Sequence, residues 1–139
     1  MNRRDGSRTG PPVRRRADEI VARARALVGT RVRPQGRSVA NGLDCIGVAA
    51  LALDVADTPR DYRLRGGCVR RLAQGLAEAG LVPTGAMAAG DVLLLQPGPA
   101  QLHLGIFTGT GLVHGDAGLR RVVERPLPFL WPILGIWRS

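Results

Sequence analysis

Three residues of this 139-residue chain have side chains that could form a nucleophilic site: the cysteine Cys45 and the chain's two histidines, His103 and His114. A thiol becomes a nucleophile when a histidine removes its proton, and the two residues must be close in space but not in sequence. Cys45 follows Asp44, a good helix cap, and precedes a run of apolar, helix-favouring residues, so we expect it in the first turn of a largely buried helix. Unpaired N–H groups at a helix start favour the thiolate. Most free cysteines, however, are small apolar core residues, and this segment alone favours that second interpretation.

The spacing of the two histidines predicts that they meet across a β-hairpin. Apolar residues alternate with His103 over residues 102–107, which indicates a strand, and a glycine-rich turn separates it from a second strand that begins at residue 112. A two-residue loop at 108–109 pairs His103 directly with His114. Directly opposed residues share a face of the sheet, with Cβ atoms about 4.5–5.5 Å apart. We therefore expect the two imidazoles to be neighbours.

Four motifs, in this order, resemble those of the NlpC family of papain-like cysteine peptidases, which cut cell-wall peptides. The motifs are Val28-Gly29-Thr30, Asp44-Cys45-Ile46-Gly47, Gly90-Asp91-Val92 at the start of a strand, and His103-Leu104-Gly105-Ile106 followed by a hairpin that reaches His114. The likeness runs from about residue 20 to the C-terminus, and it is the ordered set that makes it specific. Within the family, the chain most resembles the small members without a signal peptide that are encoded in phage-tail and gene-transfer-agent clusters.

The resemblance implies a fold, a reaction and a role for each of the three residues. The fold would be α+β and papain-like (NlpC-type), with N-terminal helices packed on a small antiparallel curved sheet. Cys45 would be the nucleophile, His103 the general base, and His114 the residue that orients the ring of His103. The family's usual substrate is the peptidoglycan stem peptide, cut between γ-D-glutamate and a diamino acid through an acyl-enzyme. No cofactor or metal ion is implied.

Two further residues are candidates for substrate binding, and one position departs from the family pattern. Asp44 has two possible roles, since it would bind a substrate amine in such enzymes and equally suits the cap of the helix. Family members commonly carry Pro-Tyr after the Gly-Thr pair, whereas this chain has Arg31 and Val32. Gln35 is a candidate to replace the missing tyrosine hydroxyl. A protein of the same fold that binds peptidoglycan without cutting it, or that has a structural role in a tail, is therefore an open alternative.

The elements that must position these residues follow from hydrophobic periodicity and turn signals. Helices are predicted from Asp18 to a cap at Gly29, after Asp44, and from Cys68 to Gly80. Strands are predicted at residues 92–95, 102–107, 112–114, 121–124 and 133–138, with a break at 96–99 because of its two prolines and glycine. Phe129, Trp131 and Trp137 are predicted to pack in the core or at its rim.

The charge of the chain is concentrated near its N-terminus. It has 20 basic and 11 acidic residues, for a net charge of +9. Residues 1–16 combine arginines with glycine, serine and proline, so we predict a disordered basic tail there and an NlpC-like cysteine peptidase domain over 17–139. A solubilising role for the tail is favoured over attraction to an anionic envelope. Nucleic-acid binding is unlikely, because the rest of the chain is nearly neutral and poor in aromatic residues.

The localisation of the protein and its partners are inferred from hydropathy and from the family resemblance. No stretch of about 18 apolar residues predicts a membrane span, and the arginines at the start are not followed by the apolar core of a signal peptide. We therefore expect synthesis in the bacterial cytoplasm without a signal peptide, and action on the cell wall, reached on a phage-like particle with tail proteins as partners or after lysis. Cys45 and Cys68 predict no disulfide framework, and no cysteine or histidine cluster has the spacing of metal ligands.

Overall fold

The computed structural model describes residues 12–55 and 68–139, which form three helices and eight strands. The helices are α1 (Pro12–Ala26), α2 (Cys45–Leu53) and α3 (Val69–Glu78). The strands are β1 (Arg37–Ser38), β2 (Gly42–Leu43), β3 (Val82–Pro83), β4 (Val92–Gly98), β5 (Gln101–Phe107), β6 (Gly111–Asp116), β7 (Arg121–Pro126) and β8 (Ile133–Arg138). The predicted α+β architecture, with helices packed on an antiparallel sheet, is confirmed.

The main sheet has six strands in the order β3-β8-β4-β5-β6-β7, and every neighbouring pair is antiparallel. Its centre is buried on both faces, which explains why β4 reads as a continuous apolar run and not as an alternating one. Val92 and Leu94 belong to the cluster shared with the helices, whereas Leu93 and Leu95 belong to a second cluster on the opposite face. The last segment of the chain packs over this second face through aromatic side chains such as Trp131.

Helix α1 begins at Pro12, six residues before the predicted start at Asp18. Proline is well suited to the first helical position because its missing N–H has no intrahelical partner there, and the arginines that follow are good helix formers. Residues 12–16, which the sequence assigned to the disordered tail, are therefore helical, and that part of the prediction is wrong. The rest of the predicted tail, residues 1–11, lies outside the described residues.

The predicted break after residue 95 is also wrong. Strand β4 continues through Pro97 to Gly98, and its register against β5 shifts between Leu95 and Gly98. A proline has no N–H to donate to a sheet and is tolerated at such a bulge. The prolines therefore mark an irregularity inside the β4–β5 hairpin, and the predicted starts of α2, α3 and β8 are confirmed.

Candidate active site

Cys45 is the first residue of α2, as predicted, and Asp44 caps that helix. Asp44 has extended backbone angles, and its Oδ1 accepts a hydrogen bond from the Gly47 N–H at 2.7 Å. The same Oδ1 accepts a bond from Arg37 Nη1 at 2.6 Å, between two largely buried side chains. Asp44 is thus the cap of the helix and the partner of an arginine, and its role in substrate binding stays a prediction.

The two histidines are neighbours, although the predicted strand register is wrong by two residues. Ile106 pairs with Val113, and the loop contains four residues because Thr108 closes it, with its N–H donating to the Gly111 carbonyl at 2.9 Å. A shift by two residues keeps every side chain on its face, whereas a shift by one would reverse it. His103 Nε2 consequently lies 2.9 Å from His114 Nδ1, within hydrogen-bond distance.

Trp131 packs against both histidines, a contact that the sequence did not predict. Its ring centroid lies 5.5 Å from that of His103 and 5.5 Å from that of His114, and the three rings are nearly perpendicular to one another. Trp131 lies in the loop between β7 and β8, so no strand periodicity indicated where its side chain would be. His114 is fully buried, and its Nε2 has no hydrogen-bond partner among the described residues.

Burial keeps both imidazoles uncharged at neutral pH. Burial and, to a smaller extent, the proximity of His114 lower the pKa of His103 to about 4, against an opposing effect of Asp116. Burial also lowers the pKa of His114, where the charge of Asp116 again has the opposite effect. A buried imidazole loses hydration in its charged form, and Asp116 recovers only part of that loss.

Burial also shifts the pKa of Cys45, in the direction opposite to the one expected from its position at a helix start. Burial raises the pKa of the Cys45 thiol to about 12, with a smaller opposing effect from the Leu104 N–H. The predicted stabilisation of the thiolate is therefore outweighed by the loss of hydration. The sulfur lies close enough to the Leu104 N–H to interact with it. Cys45 and Leu104 belong to the cluster on the helix face of the sheet, whereas Trp131, which contacts His103, packs on the cluster of the opposite face. The hydrogen bonds of the described residues include none from Cys45 to a histidine.

A surface pocket of about 370 Å³ opens beside His103. Its walls include Gln101, Asp116 and Trp131, so it has one carboxylate, one amide and one aromatic face next to the imidazole. The pocket lies at the end of the β5–β6 hairpin, where the two strands are not paired. The pocket therefore gives a ligand access to His103 and Trp131, and Cys45 is not among its lining residues.

The segment around Val32 and Gln35 lies near this site. Gln35 is exposed and has a left-handed backbone conformation with φ 58°, in the turn that precedes Gly36. Val32 is half-buried and packs close to Gly115, the residue after His114. Apolar packing therefore takes the place where the family pattern has a tyrosine, and the substrate role of Gln35 stays a prediction.

Among residues 12–55 and 68–139, no cluster of side chains could hold a metal ion. In the same part of the chain, no helix has the length and apolarity needed to cross a membrane.

The comparisons with known proteins rest on structure alone, because no protein-family model matches the chain and no curated protein matches its sequence. The structure is similar to that of NlpC2 from Trichomonas vaginalis, with a TM-score of 0.65 and 13% identity over 99% of this chain. The chain spans about half of that protein, 51% of its length.

Two other solved structures are similar over more of their own length. The NlpC/p60 domain of the peptidoglycan hydrolase SagA has a TM-score of 0.58 and 22% identity, over 88% of this chain and 97% of that one. The peptidoglycan hydrolase RipB from Mycobacterium tuberculosis has a TM-score of 0.59 and 21% identity, over 100% of this chain and 72% of that one. At these identities the likeness establishes the fold, which is the papain-like fold of NlpC/P60 domains.

Proposed function

We propose that this protein is a cysteine peptidase that hydrolyses peptidoglycan stem peptides at the amide bond between γ-D-glutamate and a diamino acid. The observation that carries the proposal is the 2.9 Å contact between His103 Nε2 and His114 Nδ1, in a chain that also has a cysteine at a helix start. The fold adds support, since two proteins that share it are named as peptidoglycan hydrolases. The bond itself is proposed from the resemblance of the motifs.

The contact between the two histidines supports a division of roles between them. His103 Nε2 is occupied by His114, which leaves His103 Nδ1 to take the proton of the Cys45 thiol. The sulfur then attacks the amide carbon, and the Cys45 N–H at the helix start stabilises the oxyanion. Collapse of the tetrahedral adduct breaks the C–N bond, and His103 gives its proton to the departing amine.

The second half of the reaction regenerates the thiol. The acyl group is then a thioester on Cys45, and His103 removes a proton from a water molecule that attacks its carbonyl carbon. The C–S bond breaks, the carboxylic acid leaves, and the sulfur recovers its proton from His103. In the first half of the reaction, the Cys45 thiol and the His103 imidazole both start uncharged at neutral pH, so the proton moves to His103 as the sulfur attacks.

The test is cleavage of defined tripeptide and tetrapeptide stems, followed by mass spectrometry. We expect Cys45→Ala and His103→Ala to abolish cleavage, and Cys68→Ala to retain it, because Cys68 is an exposed thiol at the start of α3. His114→Asn should retain most of the activity, since an amide oxygen can replace Nδ1 as the acceptor for His103. Unchanged cleavage by Cys45→Ala or His103→Ala would exclude this mechanism.

We also propose that the protein reaches the wall on a phage-like particle after synthesis in the bacterial cytoplasm. This proposal is supported by the resemblance to small family members encoded with tail genes. Immunodetection in purified particles tests it, and a protein found only in soluble lysate would contradict it.

A second candidate function is peptidoglycan binding without catalysis, or a structural role in a tail. The observation that favours it is the burial of Cys45, which is 4% exposed and has a pKa raised to about 12. A wild-type protein that binds stems but cuts none, with affinity unchanged by Cys45→Ala, would support this candidate.

A further inference from the structure

The pocket beside His103 is unusual for this chain because its charge is negative. The chain has 20 basic and 11 acidic residues, yet the described residues that line the pocket include one carboxylate, Asp116, and no arginine. A volume of about 370 Å³ suits one amino-acid side chain and not an extended polymer. The pocket therefore favours a small cationic group directly beside the proposed general base.

One oxygen of Asp116 is used by the fold, and the other faces a weaker partner. Oδ1 accepts a hydrogen bond from the Leu119 N–H at 2.9 Å and so holds the turn after β6. The nearest cation to Oδ2 is Arg125 Nη2 at 3.8 Å, which is beyond hydrogen-bond range. Arg125 also lies over the Trp131 ring, 5.9 Å from its centroid. Oδ2 can therefore accept a direct hydrogen bond from a ligand.

The carboxylate of Asp116 is charged under physiological conditions. Backbone N–H groups of the turn, Leu119 foremost, lower its pKa, and His114 and Arg125 act in the same direction. Its side chain is 18% exposed, so a bond to an incoming cation would be only partly screened by water.

The other acidic candidate near the nucleophile is already occupied. Asp44 Oδ1 accepts bonds from both Arg37 and the Gly47 N–H, and the Arg37 and Asp44 side chains are only 11% and 13% exposed. A substrate amine that approached Asp44 would have to displace a buried guanidinium. At Asp116 a substrate amine would share the carboxylate with Arg125, which is 3.8 Å from Oδ2 and 38% exposed, and would not have to displace a buried guanidinium.

We propose that this pocket binds a primary ammonium group of the peptide substrate and that Asp116 determines specificity by accepting a hydrogen bond from it. The identity of the substrate as a stem peptide rests on the proposed function. In such a peptide the diamino acid has a second amine, at the end of its side chain, on the leaving-group side of the bond that is cut. The N-terminal amine of a stem peptide is another primary ammonium group, and it is the same in the two test ligands. The expected substrate class is stems whose diamino side chain ends in a free amine.

Binding is tested by calorimetry with Cys45→Ala protein, so that the result does not depend on cleavage. The two ligands are stem peptides with lysine as the diamino acid, identical except that one has its side-chain amine acetylated. We expect acetylation to weaken binding at least about tenfold, as for loss of a hydrogen bond between charged groups. Adding Asp116→Asn should abolish this discrimination, while its amide oxygen can still accept from Leu119.

The matched control is Glu78→Gln on α3, which removes the same charge from an exposed site outside the pocket and should keep the discrimination. Equal binding of the two peptides, no binding of either, or an equal weakening of both by Asp116→Asn would overturn the proposal. Cleavage by wild-type protein is measured separately. If the protein distinguishes the free from the acetylated peptide but cleaves neither, the peptidase proposal is excluded and the ammonium pocket is supported. If it cleaves stems but binds the two peptides equally, the peptidase proposal is supported and the ammonium pocket is excluded.

Discussion

At the residue scale, the site is built from ionisable groups that burial holds in their uncharged forms. Cys45 and His103 shift in opposite directions, and each shift favours the neutral species. Because the thiolate is the reactive species, a thiol that burial keeps neutral is protected from adventitious reaction. The same burial makes the folded protein resist protonation of its histidines.

This resistance predicts a loss of stability in acid. The pKa of His103 is about 4 in the folded protein against an ordinary 6.5, so the unfolded chain binds more protons between those values. The free energy of unfolding is therefore fully available above pH 6.5 and falls as the pH decreases towards 4, by up to about 3 kcal/mol from this residue. His103→Gln cannot titrate, and urea unfolding at pH 7.5 and 4.5 should show a smaller acid loss in the variant than in wild type.

Carboxylates with a lowered pKa, such as Glu124, also lose stabilising interactions when acid protonates them. That loss is the same in wild type and in His103→Gln. The difference between the two pH curves therefore reports on His103 together with His114, to which it is coupled. Parallel curves for the variant and wild type would show that His103 titrates normally in the folded protein.

The sequence predicted part of this residue-scale arrangement. An odd separation of the histidines was enough to place them on one face, because a two-residue register error leaves faces unchanged. The degree of burial was not predictable, since it depends on the loop that carries Trp131, and that loop has no periodicity. The ionisation of Cys45 was misjudged for the same reason: the helix start was visible in the sequence, but the packing over it was not.

At the scale of elements, the position of α2 depends on close contact with the turn before β1. Gly47 lies against the Gly36 carbonyl, and a Cβ at position 47 would overlap that oxygen. Gly36 is itself tied to the helix start, because its carbonyl accepts a bond from the Asp44 N–H at 3.1 Å. The turn therefore sets where the helix begins and hence where Cys45 lies.

Gly47→Ala should move the start of α2 away from this turn. We expect a destabilisation of about 1–3 kcal/mol from overpacking, with loss of any cleavage activity because Cys45 moves with the helix. Gly85→Ala is the matched control, since a Cβ there meets no atom within 4 Å, and it should change neither property. Thermal unfolding and the stem-cleavage assay measure both effects, and a fully active, stable Gly47→Ala protein would contradict this account.

The sequence identified most elements but not their limits. Apolar periodicity located α2, α3 and the strands of the sheet because their buried faces are well defined. It placed the start of α1 too late because the first turns of that helix are mostly exposed and basic, and their helicity comes from propensity and not from a buried stripe. The short strands β1 and β3 carry too few residues to show any period.

At the scale of the whole molecule, the last strand is joined to the centre of the sheet by an ion pair between a partly exposed arginine and a buried aspartate. Arg138 at the end of β8 donates from Nε to Asp91 Oδ1 and from Nη2 to Asp91 Oδ2, both at 2.9 Å. Asp91 is 1% exposed and also accepts a bond from the Ala88 N–H at 2.8 Å. The C-terminal strand thus neutralises an acid that precedes β4, far away in sequence.

Removal of Arg138 should cost more than removal of a surface arginine. Arg138→Met leaves a buried carboxylate without its cation, which costs about 3 kcal/mol. Arg25→Met is the control, because Arg25 pairs with Glu124 at the surface with its side chain 48% exposed, and its loss should cost about 1 kcal/mol or less. Urea unfolding at neutral pH compares the two variants. If both variants lose the same free energy of unfolding, the ion pair at Asp91 is as well screened by water as a surface pair, and the pairing of β8 with β4 does not depend on it.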